Sequence, residues 1–200
     1  MRDDTIAGFL EQLAARVPAP GGGATAALHA AQAAALLAMV ARYSDGPRYD
    51  AVRMGVIITE ADAIRAKALE LAEADVAAFS AVTEAYRMPR SDSGRPEAIA
   101  AALAGAARPP AGVLRMSYLL IQLAGWLLAD GNRNVITDVG AAAEAARAAA
   151  VTSRLNIEVN LRGITDAALR DELAEAARVA DTVVERADSI VAAVRAEITR

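Results

Sequence analysis

An all-α fold, a bundle of about six to seven helices, is what this sequence predicts, and three features predict it. Apolar residues fill 55% of the 200 positions but aromatics only 4%. An alanine-rich core of that kind suits closely approaching helices better than strands, which draw on Val, Ile, Thr and aromatics. Apolar positions recur three and four apart over long stretches, as they do along one face of a helix. Proline and glycine gather in short clusters that separate those stretches. A single domain over residues 1–200 accommodates this length.

The first helix is capped by Asp4 or Thr5 and carries Ile6, Phe9, Leu10 and Leu13 on one face. It must stop near Val17, because Pro18-Ala19-Pro20-Gly21-Gly22-Gly23 follows. The second helix, about Ala24 to Tyr43, is nearly pure alanine and leucine, interrupted by His29 and Gln32 and ended by Arg42. Those polar residues favour a central core helix over a membrane span. After the break at Ser44-Asp45-Gly46-Pro47, a long helix runs from about Tyr49 to Tyr86 or Met88. Its seam passes through Ile57, Ala61, Ile64, Ala68, Leu71, Asp75, Ala78 and Val82, so a carboxylate stands at a packed position.

Met88-Pro89-Arg90 ends that helix, and Pro96 opens a short one to about Ala107. Pro109-Pro110 opens the next, which reaches Ala129 and carries Trp126, the one tryptophan, on a helix expected to be buried on most sides. Gly131 is the expected cap at its C-terminus. The sixth helix starts at Val135 or Asp138 and ends near Leu161, with Ser153 and Asn160 on an otherwise apolar line. Gly163 ends it, and Thr165 with Asp166 starts an outer helix to Arg200, charged on its solvent face.

The bulk numbers exclude several chemistries. A net charge of −4 gives no electrostatic case for nucleic acid or an anionic membrane. With no cysteine and one histidine, disulfides, thiolate catalysis and the usual zinc sites are not expected. Met1-Arg2-Asp3-Asp4 leads into an amphipathic helix rather than the apolar segment of a signal peptide, so the expectation is a cytoplasmic protein.

Polar groups fall inward or at helix ends in four segments: Gly21 to Gly23, His29 and Gln32; Asp75; Asn132, Asn134, Thr137 and Asp138; and Asn160. Three glycines at the start of a buried helix provide a turn, close packing, or an approach to free N–H groups for an electron-rich ligand. Asn132 and Asn134 suit turns as well as ligands, and Asp138 in a first helical turn suits the helix dipole. A pocket between helices could gather several of these groups. Two carboxylates there, Asp75 and Asp138, could divide the work of binding a cation and carrying a proton.

Taken in order, Pro18-Ala-Pro-Gly-Gly-Gly23, Asp75-x-x-Ala-Phe79, Met88-Pro89-Arg90, Gly131-Asn-x-Asn134 leading into Thr137-Asp-Val-Gly140, and Leu155-Asn-x-x-x-Asn-Leu161 resemble the cyclodeaminase/cyclohydrolase family of folate one-carbon metabolism. The resemblance implies a dimeric all-helical subunit with no metal and no redox cofactor. It implies a tetrahydrofolate derivative bound among the glycine loop, the long helix and the Asn/Asp segment; the residues expected to bind it are Pro20, Gly21, Gly22, Gly23, His29, Phe79, Asn132, Asn134, Thr137 and Asn160, with Asp75 or Asp138 as the proton carrier. Its reactions are hydration of methenyltetrahydrofolate, ranked first because no formimidoyltransferase domain is attached, and ring closure of formimidoyltetrahydrofolate with loss of ammonia. Alternatives are a relative acting on another amidine-like or pterin-like substrate, and a folate-binding helical dimer without activity. Ala24 stands where the family usually has Ser, Thr137 where it has Ser, and Ser44-Asp45-Gly46-Pro47-Arg48 where it carries lysine. His29 and Gln32 replace small or apolar residues.

Overall fold

The structure, a computed structural model, describes residues 4–199. Among them are seven α-helices and no strand. The helices are α1 (Ile6–Ala14), α2 (Gly22–Arg42), α3 (Ala51–Arg87), α4 (Arg95–Ala106), α5 (Arg108–Asp130), α6 (Ile136–Leu161) and α7 (Ala167–Ile198), with a 3-10 turn at Arg133–Val135. The Met1-Arg2-Asp3 stretch and the expected helix end at Arg200 lie outside the described residues.

Local chemistry sets most of these boundaries. Thr5 Oγ1 accepts the Gly8 N–H, Asp50 accepts those of Val52 and Arg53, and Asp166 accepts that of Leu169, capping α1, α3 and α7. Pro96 and Pro109-Pro110 sit in the first turns of α4 and α5, where their missing N–H groups cost nothing. Only Ala107 separates these two helices. Gly131 caps α5, its N–H donating to the Leu127 carbonyl at 2.8 Å. Its φ of −83° is ordinary, so the glycine is required by contact: a Cβ there would lie 2.4 Å from that carbonyl oxygen.

Two boundaries differ from the sequence expectation. α1 ends at Ala14, three residues before Val17. α2 starts at Gly22 rather than Ala24, with Gly21 as its N-cap, so two of the glycines are helical. They enter the helix after a cis Ala19–Pro20 peptide.

The core is one alanine-rich cluster. α2 is enclosed on three sides by α3, α5 and α6, and α7 packs on α5 and α6. Twelve residues of α2 are buried, nine of them alanine, which lets neighbouring backbones approach closely. Tyr118 and Trp126 sit on α5, but Trp126 is 44% exposed, against the expected burial. The α5 surface carrying it and Leu119 is not covered within the chain. Turns at the far end are tied together by Asn132: its N–H donates to Ser44 Oγ at 2.9 Å and its Nδ2 to the Tyr43 carbonyl at 2.6 Å.

Candidate active site

At the N-terminus of α2 the chain builds a cavity of about 200 Å³ between α3 and α6. The glycine loop forms its floor (Pro18, Ala19, Gly21, Gly22, Gly23), α3 supplies Asp75, Phe79 and Val82, and α6 supplies Asn156, Val159 and Asn160. Ala106, the last residue of α4, closes the back.

Asp75 is the centre of this arrangement. The seam of α3 carries it inward, and the backbone N–H of Ala24 donates to its carboxylate. The positive end of the α2 dipole, one of whose possible uses was to face an electron-rich ligand, is therefore occupied by the chain's own carboxylate. Burial raises the Asp75 pKa above the ordinary carboxylate value, and the Ala24 N–H works in the opposite direction. Close approach demands glycine: a Cβ on Gly23 would lie 2.0 Å from Asp75 Oδ1 and 2.4 Å from its Cγ. Beside it, Gly22 faces Asn156 Nδ2 and Thr152 Cγ2 at an ordinary 3.8 Å.

Asn156 and Asn160 are one turn apart on α6. Their amide nitrogens donate back to the helix, Asn156 to the Thr152 carbonyl at 2.8 Å and Asn160 to the Asn156 carbonyl at 2.7 Å. Each nitrogen gives one N–H to its own helix, which leaves the side-chain carbonyl free to accept from a ligand. The cavity includes among its polar groups a carboxylate and two side-chain amides, beside the Phe79 ring and apolar walls, and no Lys, Arg or His lines it. Such a lining suits a flat ligand rich in N–H groups and carrying positive charge.

The structure brings Gly21, Gly22, Gly23, Asp75, Phe79 and Asn160 together, with Pro20 buried in the same loop. His29 stands two turns along α2, half-buried, outside the lining. Asn132, Asn134, Thr137 and Asp138 are at the other end of α2 and α6, about 30 Å away by helix length. There Asn132 ties turns together, and Asn134 borders an open depression with Arg48, Arg53 and Arg133. Thr137 is exposed and Asp138 half-buried in the first turn of α6. Within one chain, then, the two carboxylates do not share a pocket.

Two contributors were not among the site residues expected from the sequence. Asn156 was signalled by its spacing of four from Asn160, which puts both on one helix face. Thr25 donates its hydroxyl to the Gly21 carbonyl at 3.0 Å, one position beyond the alanine that replaces the family's serine. A third polar residue, Ser153, is fully buried, and its hydroxyl has no partner among the described residues.

Comparison with known proteins identifies the family and the fold. Residues 5–179 match the family model described as formiminotransferase-cyclodeaminase. The chain is 33% identical to a methenyltetrahydrofolate cyclohydrolase of Methylorubrum extorquens, over 94% of this chain and 98% of that protein. It is 31% identical to the mouse formimidoyltransferase-cyclodeaminase over 85% of this chain, which corresponds to 33% of the mouse protein. The crystal structure of a formiminotetrahydrofolate cyclodeaminase from Thermotoga maritima aligns with a TM-score of 0.84 at 28% identity, covering 98% of this chain and 96% of that one. On sequence and on fold, the chain belongs to the formiminotransferase-cyclodeaminase family.

Proposed function

We propose that this protein is a folate one-carbon enzyme whose reaction is the hydration of methenyltetrahydrofolate to 10-formyltetrahydrofolate. The observation that carries the reading is Asp75, a half-buried carboxylate in a cavity lined by two asparagines and an aromatic ring and by no Lys, Arg or His. The methenyl substrate is a cation delocalised over two nitrogens and one carbon. A buried carboxylate attracts that charge, and the cation in turn offsets the cost of keeping Asp75 ionised. Phe79 offers a face for the bicyclic ring, and the Asn156 and Asn160 carbonyls accept its N–H groups.

In the reaction, Asp75 takes a proton from water as the oxygen bonds to the methenyl carbon, giving a neutral tetrahedral adduct. The carboxylic acid then delivers that proton to N5 as the carbon–N5 bond breaks. The adduct's hydroxyl becomes the formyl carbonyl and releases its proton to solvent. Water and the cation are thereby converted to 10-formyltetrahydrofolate and one proton, with no electron transfer.

Hydrolysis ranks ahead of ammonia-releasing ring closure because, of two relatives matched along nearly their whole length, the bacterial cyclohydrolase is 33% identical and the cyclodeaminase of known structure 28%. Ring closure needs the same proton carrier and the same acceptor lining, so it is the second reading. We read the working unit as a cytoplasmic homodimer that takes a tetrahydrofolate derivative as substrate and needs no further cofactor. Following the methenyl absorbance with and without enzyme tests the reaction. The expected result is decay well above the spontaneous rate; folate binding without faster decay contradicts it.

A further inference from the structure

The first helix carries more apolar surface than it buries. Ile6, Leu10 and Leu13 recur four and three residues apart and so share one seam of α1. Ile6 is 81% and Leu10 54% exposed, and Leu13 is half-buried. Phe9, on the flank of that seam, is the buried side chain of the helix. Among the described residues α1 packs extensively on no other helix. Its attachment to the site is short: α1 ends at Ala14, and Pro18 and Ala19 already line the Asp75 cavity. Ala15, in extended backbone, and the exposed Arg16 and Val17 connect the two.

A second uncovered seam starts at the cavity mouth. Phe79, Val82 and Tyr86 continue the line of α3 that carries Asp75. Phe79 and Val82 line the cavity, while Tyr86, 53% exposed, stands beyond it. Arg95 holds that far end: its Nε donates to the Met88 carbonyl at 3.0 Å, and its guanidinium lies 5.9 Å from the centre of the Tyr86 ring. The two seams match. Counted outward from the cavity, α1 reads Leu13, Leu10, Ile6 and α3 reads Phe79, Val82, Tyr86, each stepping three residues and then four. Both cover about 10 Å of helix. Helices that share this alternation pack by interleaving their side chains, here in antiparallel sense.

We propose that α1 is a lid. Turning about Ala15, Arg16 and Val17, it lays Leu13, Leu10 and Ile6 along Phe79, Val82 and Tyr86 and closes the mouth of the Asp75 cavity. Residues at the end of an element are where such a turn is absorbed. The exposed seams of this structure are the open arrangement. A flat ring stacked on Phe79 touches Leu13 only after closure, so a bound ligand favours the closed arrangement. Closure buries Phe79 and Val82 and removes bulk water from beside Asp75. The carboxylate then attracts a cationic ligand more strongly.

The coupling of the lid to substrate rests on the folate reading; the closure itself does not. The chain has no cysteine, so paired cysteines report the closed arrangement cleanly. Under mild oxidation the Ile6→Cys/Tyr86→Cys chain should form a disulfide within itself, and faster when 5-formyltetrahydrofolate is present. Ile6→Cys/Lys67→Cys, whose second position lies beyond Asp75 in the other direction along α3, should stay unlinked. An Ile6–Tyr86 pair that does not link, or that joins two chains, overturns the lid. Linking at one rate with and without 5-formyltetrahydrofolate overturns the coupling. A second variant, Ile6→Glu/Leu10→Glu, charges the α1 seam and leaves the cavity lining intact. Its circular dichroism should be unchanged and its KM for methenyltetrahydrofolate raised about tenfold, the scale of a lost apolar side-chain contact. Wild-type kcat and KM in that variant overturn the lid as a part of turnover. If wild type itself does not hydrate methenyltetrahydrofolate, the folate reading fails while the ligand-free cross-link still decides the closure.

Discussion

A Cβ built on Gly23 would stand 2.0 Å from Asp75 Oδ1, so these two residues, 52 positions apart in sequence, occupy one site only because the first has no side chain. The carboxylate is short and already held by the Ala24 N–H, so it cannot swing aside without losing that bond.

Gly23→Ala should therefore displace Asp75 and reduce turnover by about 100-fold, the cost of misplacing a reacting group by about 1 Å. Gly55→Ala on α3 is the matched control, since nothing lies within 4 Å of its Cβ position and it does not line the cavity. Initial rates for the two variants, alongside their circular dichroism, separate a local displacement from a lost fold.

Asp75 also sets a pH dependence of stability. Its folded-state pKa is raised, chiefly by burial. Below the ordinary carboxylate value both folded and unfolded chains hold the proton and nothing is lost. As pH rises towards and through the raised value the unfolded chain ionises first, and the native state loses stability. Asn keeps an oxygen to accept the Ala24 N–H without the charge. Melting curves should thus find Asp75→Asn more stable than wild type at neutral pH and equal to it near pH 3; a variant less stable at neutral pH contradicts the assignment.

Catalysis has the opposite demand, because a proton acceptor must be ionised. The value of kcat/KM should fall as pH is lowered through the raised Asp75 pKa. Substrate binding should sharpen with pH across the same window, since the cation favours the ionised carboxylate. In Asp75→Asn the acid limb should vanish from the pH profile.

Asn132 offers a contrast. It binds the Tyr43 carbonyl and caps Asn134, whose N–H it accepts at 3.0 Å, so it joins the turn after α2 to that before α6. Asn132→Ala should cost about 1–2 kcal/mol of stability in urea unfolding. A loss of activity with unchanged stability would instead return Asn132 to the binding site.

The helices were legible because their signals are local. Pro96, Pro109 and Asp166 mark starts, and Met88-Pro89 and Gly131 mark ends, by chemistry confined to a turn or two. Asp75 was legible as well, since a carboxylate on an apolar seam has to be explained by a partner or a task. The occupant of the α2 N-terminus was not. The loop is open to a turn, close packing or an electron-rich ligand, and only the packing of α3 against α2 makes Asp75 its occupant. Nor does periodicity tell which end of a long helix meets which, so Asp138 and Asp75 passed for neighbours although two antiparallel helices hold them apart. Trp126 escaped for a similar reason, because an all-round apolar helix hides which side its own chain leaves open.

The most direct measurement of the central claim is the initial rate of methenyl absorbance loss for wild type and Asp75→Asn, each with the spontaneous rate subtracted. A folded Asp75→Asn protein slowed by about 10²–10⁴-fold is the result expected for a lost proton carrier. A variant that hydrates the substrate within a few-fold of wild type would contradict the account.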